Sequence, residues 1–135
     1  MKTAVIYWSG TGNTEAMANA VAEGAGVEAV AISDFTGNIA DFDAIAFGCP
    51  AMGDEQLEEA EFEPFFTDIE QELNGKKVLL FGSYDWGTGD WMRSWEKRVK
   101  NDGALLIGDE GYITNLDAND TELDELRELG KKLAE

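Results

Sequence analysis

Runs of consecutive apolar residues, spaced along the whole chain, restrict its fold more than any other feature. Ala4–Trp8, Val27–Ile32, Ala44–Cys49 and Lys77–Ser83 are such runs, followed by a weaker stretch at Ala104–Ile107 with Tyr112-Ile113. A segment such as Val78-Leu79-Leu80-Phe81 has no polar face, so it suits a strand covered on both sides, as in a parallel sheet. Between the runs lie helix-period segments. Glu15–Val21 reads as the first. The second begins near Pro64, shows Phe62, Phe65, Phe66, Ile69 and Leu73 on one side, and stops at Asn74-Gly75. The third carries Trp91, Trp95 and Val99 at i, i+4 and i+8 and ends by Gly103. The fourth has Leu123, Leu126, Leu129 and Leu133 in one stripe, a capping-box pair at Asn119 and Glu122, and Lys131-Lys132 near its end. Five strands alternating with four or five helices predict an α/β fold, a doubly wound five-stranded parallel sheet, with residues 1–135 as a single domain. Such folds bind ligands beyond the carboxyl ends of the strands.

The loop after the first strand is Ser9-Gly10-Thr11-Gly12-Asn13-Thr14. A strand that turns through two glycines into a helix start aims free backbone N–H groups at one spot, where the helix dipole favours an anion. Ser9, Thr11, Asn13 and Thr14 add side-chain donors. No Lys or Arg lies in the loop, so it is not a Walker A motif, and Glu15 stands at the third glycine position of the dinucleotide fingerprint. An ordinary βα turn capped by Asn13 or Thr14 is the simpler alternative. Hydroxyl residues and glycines at nearly every position exceed what a cap needs, and favour a phosphate held by neutral donors.

The two other large loops, Cys49–Glu55 and Ser83–Trp91, are rich in glycine and aromatic residues, which suits backbone laid against a flat ring. Trp86 sits mid-loop among turn residues, which points to stacking. Trp91 and Trp95, at helical spacing, read as packing residues. Trp8 either packs or reaches the phosphate loop, and Met52 alone reads as a loop residue covering core.

Composition closes off other classes. With 28 acids against 10 bases the net charge is −18, which repels nucleic acid and anionic membranes and attracts basic protein surfaces. There is no histidine, the commonest general base and metal ligand. The lone Cys49 cannot form an internal disulfide and reads as an inert core thiol. No signal peptide or membrane span is visible, so the expected compartment is the cytoplasm.

Tyr7–Thr14, Ala51–Glu55, Phe62-Glu63-Pro64-Phe65 and Gly82–Met92 together resemble the short-chain flavodoxins of anaerobic bacteria, over nearly the whole chain. The resemblance implies strand order 2-1-3-4-5, with no insertion splitting the fifth strand as in the short form of the family, non-covalently bound FMN, and one-electron traffic between redox proteins. That traffic would cycle mainly between semiquinone and hydroquinone at low potential, in a monomer that is not an enzyme. It implies that Ser9, Gly10, Thr11, Gly12, Asn13 and Thr14 hold the 5′-phosphate, that Trp86 stacks on one face of the isoalloxazine, and that Met52 covers the other. Gly53-Asp54 would be the peptide facing N5, and Glu55 would accept from N3. Ser83 and Asn115 stand where ribityl contacts fall. Trp8, Pro50, Ala51, Tyr84, Asp85, Gly87 and Gly89 complete the expected cofactor-binding set. Pro50 replaces a hydroxyl residue common in relatives, and Asp85 replaces a glycine beside the pyrimidine edge. The expected partners are basic surfaces of reductases and other redox proteins. A flavin or quinone reductase on the same fold would need a second substrate pocket, for which no extra segment exists. A helper flavoprotein for a metal-cofactor enzyme would share the site. A phosphoryl-accepting regulator would need acids that Tyr7-Trp8-Ser9 and Cys49-Pro50 do not supply.

Overall fold

The computed structural model describes residues 2–135. Along the chain it contains β1 (Thr3–Tyr7), α1 (Asn13–Ala25), β2 (Ala29–Ala31), β3 (Ala44–Gly48), α2 (Phe62–Ile69), β4 (Lys77–Tyr84), α3 (Asp90–Asn101), β5 (Leu105–Leu106), β6 (Tyr112–Asn115) and α4 (Asp120–Ala134). Every strand pairing is parallel, in the order β2-β1-β3-β4-β5, with β6 also on β4. The expected order therefore holds, with six strands in place of five. The fifth position is made of two short pieces: β5 pairs with Lys77-Val78 and β6 with Phe81–Tyr84. Between them the backbone turns through Gly108 and Asp109, both in the left-handed region, where a strand cannot continue. The edge is thus broken into two short pieces, and the second carries the chain to the ligand end of β4.

The consecutive apolar runs feed two cores because successive side chains point to opposite faces. Ile6, Ile45, Phe47 and Leu80 face one way, against Phe62 and Phe66 of α2 and Trp95 and Val99 of α3. Val5, Ala46, Leu79 and Phe81 face the other way, against α1 and α4. Trp95 meets Phe62 and Phe66 edge-on, with centroids 5.4 and 5.7 Å apart, so it packs as its spacing predicts. On the other face α1 and α4 touch backbone to backbone. A Cβ on Gly24 would strike the Arg127 carbonyl, and one on Gly130 the Val21 carbonyl.

Helix α2 starts at Phe62 with Pro64 in its first turn, and a short 3₁₀ turn, Glu70–Leu73, completes the stretch toward Asn74-Gly75. Its N-terminus is capped by buried Glu58, whose carboxylate accepts from the backbone N–H groups of Ala60 (2.8 Å), Glu61 (2.7 Å) and Phe62 (2.8 Å). Burial by itself would raise the Glu58 carboxyl; the N–H groups of Phe62, Glu61 and Ala60 outweigh it and hold the group below its ordinary value. A carboxyl lowered on folding stabilises the fold above its unfolded value, about 4.3, and that contribution fades as pH falls through the folded value. Glu58→Gln should therefore lower stability by about 1–2 kcal/mol at neutral pH. Urea denaturation at pH 7 and again below about pH 4 checks this: the gap between the two chains should narrow in acid. An unchanged gap would mean that the charge of Glu58 is not what stabilises α2.

Candidate functional site

Four strands deliver their following loops to one cleft. Its cavity, about 300 Å³, is lined by Trp8, Gly10, Thr11 and Asn13 after β1, by Pro50, Ala51, Met52, Gly53 and Glu55 after β3, by Ser83, Tyr84, Asp85 and Trp86 at the end of β4, and by Leu116 after β6. Of the residues expected here from the sequence, Ser9, Gly12, Thr14, Asp54, Gly87, Gly89 and Asn115 do not line it. Each of these seven lies next in sequence to a residue that does, or in the turn that shapes the loop. Leu116 is the lining residue that sequence reasoning missed. An apolar residue after a predicted strand carries no signal of its own.

The β1 loop ends at α1 with Gly12 as N-cap, in the left-handed region (φ 96°) and without a side-chain cap. The other helix starts differ. Glu58 caps α2. Asn119 and Glu122 cap α4 reciprocally, at 2.8 and 2.9 Å. At α3 the Oε1 atom of Glu55, from a loop more than thirty residues earlier, accepts from Thr88 (2.9 Å), Gly89 (2.8 Å) and Asp90 (3.2 Å). Among the described residues, then, the start of α1 is the one α-helical N-terminus at which no N–H of the helix itself meets a side-chain acceptor, in a chain rich in carboxylates. Ser9 Oγ accepts from the Gly12 N–H at 3.1 Å and closes the loop on itself. Thr14 Oγ1 lies 3.1 Å from Ser83 Oγ, joining α1 to β4 through a buried hydroxyl pair. No Lys or Arg lines the cavity.

Trp8 does both things its position allowed. Its ring packs against the α2–α3 core and lines the cavity, and its Nε1 donates to Glu61 at 3.1 Å. A Cβ on Gly10 would come within 3.1 Å of that ring, so glycine here lets the loop fold beneath the indole.

Met52 and Gln56 pair backbone to backbone at 2.8 and 2.9 Å, closing a tight turn whose tip is Gly53-Asp54-Glu55. Gly53 (φ 54°) and Glu55 (φ 56°) are both left-handed. The Glu55 side chain crosses to the α3 amides, and Gly87 lacks a Cβ at the point where the Glu55 carboxylate lies. One residue thus ties the β3 loop to the β4 loop. Asn115 stitches a third segment to the same place: its Nδ2 donates to the carbonyls of Tyr84 (3.2 Å) and Asp85 (3.3 Å). Trp86, held between these ties, is 61 % exposed, whereas Trp91 and Trp95 are buried. Behind the cleft, burial pushes the Cys49 thiol well above its ordinary range, so it is inert, as expected.

The donor set suits one kind of occupant. Uncapped helix amides flanked by hydroxyls suit a phosphate, and the exposed Trp86 and Met52 beside them suit an apolar plate. On a doubly wound sheet these residues fit a protein that holds a flat phosphorylated cofactor at its strand ends. Comparison with known proteins narrows the class. Residues 5–130 match the flavodoxin family model. The flavodoxin of Megasphaera elsdenii is 48% identical over 134 residues, spanning 95% of this chain and 97% of that protein. That of Clostridium beijerinckii is 43% identical, spanning 96% and 97%. The solution structure of two-electron reduced Megasphaera elsdenii flavodoxin superposes with a TM-score of 0.83 at 46% identity, covering 96% of this chain and 98% of that one. The chain belongs to the flavodoxin family: it is an FMN-binding electron carrier that transfers electrons to redox partner proteins, not an enzyme.

Because Glu55 is the acceptor that fixes the start of α3, Glu55→Gln should loosen that start. The expected result is faster amide exchange at Thr88, Gly89 and Asp90 and a loss of about 1–2 kcal/mol of stability. Hydrogen exchange and urea denaturation measure both. Unchanged exchange at all three amides would show that α3 needs no acceptor there.

Proposed function

We propose that the cavity at the strand ends is the FMN site, with the 5′-phosphate held by Ser9–Thr14 and the ring lying between Trp86 and Met52. The observation that carries this is the uncapped start of α1 in a chain that caps its other helices. Bound FMN supplies the redox chemistry, taking up and releasing electrons one at a time. The protein's part is to bind, orient and bias. Thr11 and Asn13, which line the cavity, and the free amides at the start of α1 would surround the phosphate with neutral donors, so its charge would be met by dipoles rather than by a cation. The apolar faces of Trp86 and Met52 exclude water from the ring.

Gly53 would supply the backbone acceptor for a proton at N5 of the bound flavin. With φ 54° and no atom within 4 Å of the site of an added Cβ, its peptide has both the conformational freedom and the space to turn its carbonyl toward that proton. Glu55 Oε1 is committed to α3, which leaves its second carboxylate oxygen as the acceptor for N3–H. Asp85 and Glu55 line the cavity and Asp54 stands at its lip, so carboxylates oppose each added negative charge. Each exposed charge about 10 Å away contributes about 0.4 kcal/mol, and several together favour a low potential.

The same acids give the partner surface. Asp54, Glu55, Glu59, Glu63 and Asp90 line a groove that adjoins the flavin cavity along α3. Its one cation, Arg98, is held by Glu63 at 2.8 Å and Glu70 at 2.7 Å, so the groove presents net negative charge to a basic redox protein.

Trp86→Ala should weaken FMN binding by about 1–3 kcal/mol, taking stacking on a nucleobase as the guide. Trp95→Ala should lower fold stability instead. Fluorescence titration with FMN and urea denaturation separate the two effects, and equal losses of affinity would refute the assignment of Trp86.

Electron transfer to a basic partner should slow steeply with salt, since the Debye length shortens from about 30 Å at 0.01 M to about 8 Å at 0.15 M. Stopped-flow rates across that range test this; a flat response would assign the acids to solubility alone.

A further inference from the structure

Leu116 breaks two rules at once. It is a leucine in the left-handed backbone region (φ 59°), a place that suits Gly, Asn or Asp, and its side chain is 48 % exposed. The conformation is imposed from outside. Its N–H donates to the Tyr84 carbonyl at 2.8 Å, and its own carbonyl accepts from Thr114 Oγ1 at 3.3 Å. An asparagine or glycine would meet those two backbone bonds without strain, so the fold alone gives no reason for leucine. Nor does the core, since Leu116 belongs to neither hydrophobic cluster. Strain that the surroundings hold in place marks a residue kept for something other than stability.

Its neighbours point to the use. The described residues leave four large apolar side chains exposed: Met52, Trp86, Leu105 and Leu116. Three of these line the same cavity, and Leu105 lies apart on β5. Leu116 is also part of the Trp86 loop in a mechanical sense. The Asn115 side chain and the Leu116 N–H both bond the Tyr84-Asp85 backbone that leads into Trp86.

We infer that Leu116 is a third apolar contact for the flavin, supplied by the end of β6, and that it keeps water from the ring beside Asp85. This rests on the reading of the cavity as the flavin site. Apolar cover disfavours added negative charge on what it covers, because the charged form is the one that loses most by leaving water. Leu116 therefore works in the same direction as the carboxylates. It makes the cofactor tight and its last electron hard to add.

Two substitutions in the full chain separate this from a turn role. Leu116→Asn suits the backbone and removes the cover; Leu116→Met keeps the cover with the backbone still strained. Covering half a leucine corresponds to about a tenfold change in affinity. Titration with FMN should give a dissociation constant about tenfold higher for Asn and nearly unchanged for Met. Spectroelectrochemical titration of the FMN-loaded proteins should move the potential of the second electron upward for Asn alone. Asn and Met variants that both match the parent would overturn the inference, as would two equally weakened ones, since the latter would point to the backbone. The failure of the site reading looks different: Trp86→Ala would then leave FMN affinity untouched as well.

Discussion

The free N–H groups at the start of each α-helix need acceptors, and much of this molecule is arranged around where those acceptors come from. Glu58 turns back onto α2, Asn119 and Glu122 answer each other at α4, and Glu55 reaches α3 from the far side of the cleft. These are charge-assisted or reciprocal bonds, stronger than neutral ones, so they fix loops as well as helices. The β3 loop takes a left-handed turn at Glu55 to deliver its carboxylate, and the β4 loop needs glycine at 87 to receive it. At α1 no side chain accepts from the helix's own first N–H groups. One rule of satisfaction thus builds the site's walls and leaves its floor open.

The sheet provides the frame on which those loops converge. Both of its faces are covered, so its strands are apolar throughout and its register leaves little freedom. β1, β3 and β4 pair over five residues each; β1 and β3 end at Tyr7 and Gly48, level with Phe81, and β4 runs on to Tyr84. The break in the fifth position is part of the same design. By ending β5 early and restarting at Tyr112, the chain brings Asn115 and Leu116 level with Tyr84 at the cleft. An unbroken edge strand would have to keep a single register along β4.

What the sequence made legible were features with a local signature. Apolar runs marked strands, the Asn119–Glu122 spacing marked a cap, and helical spacing separated Trp91 and Trp95 from Trp86, whose exposure agrees. The glycine-hydroxyl loop was legible as a turn from β1 into α1 at the cleft, because its glycines are a local signal. The Glu55–α3 bond had no such signature: it closes over more than thirty residues and depends on how two loops meet. Glu58 was hidden in the same way, as one more acid in an acidic stretch. The break between β5 and β6 turns on the backbone at Gly108 and Asp109, and Leu116 on a conformation that its residue type disfavours. A residue whose geometry is imposed by its partners cannot be read from its own identity.

The glycine contact between α1 and α4 has a reach beyond packing. Gly24 stands near the carboxyl end of α1 and is seated on the Arg127 carbonyl, while Gly130 of α4 is seated on that of Val21. Helix α1 is a stiff rod about 20 Å long, pinned at one end and offering its amides at the other. Like any lever, it magnifies small errors at the pivot: a tilt of about 3° there carries the far tip sideways by about 1 Å over that length. Hydrogen bonds given by those amides weaken over such a distance. The aim of the free amides at the start of α1 is therefore set in part at the opposite end of the helix, by two residues with no side chains.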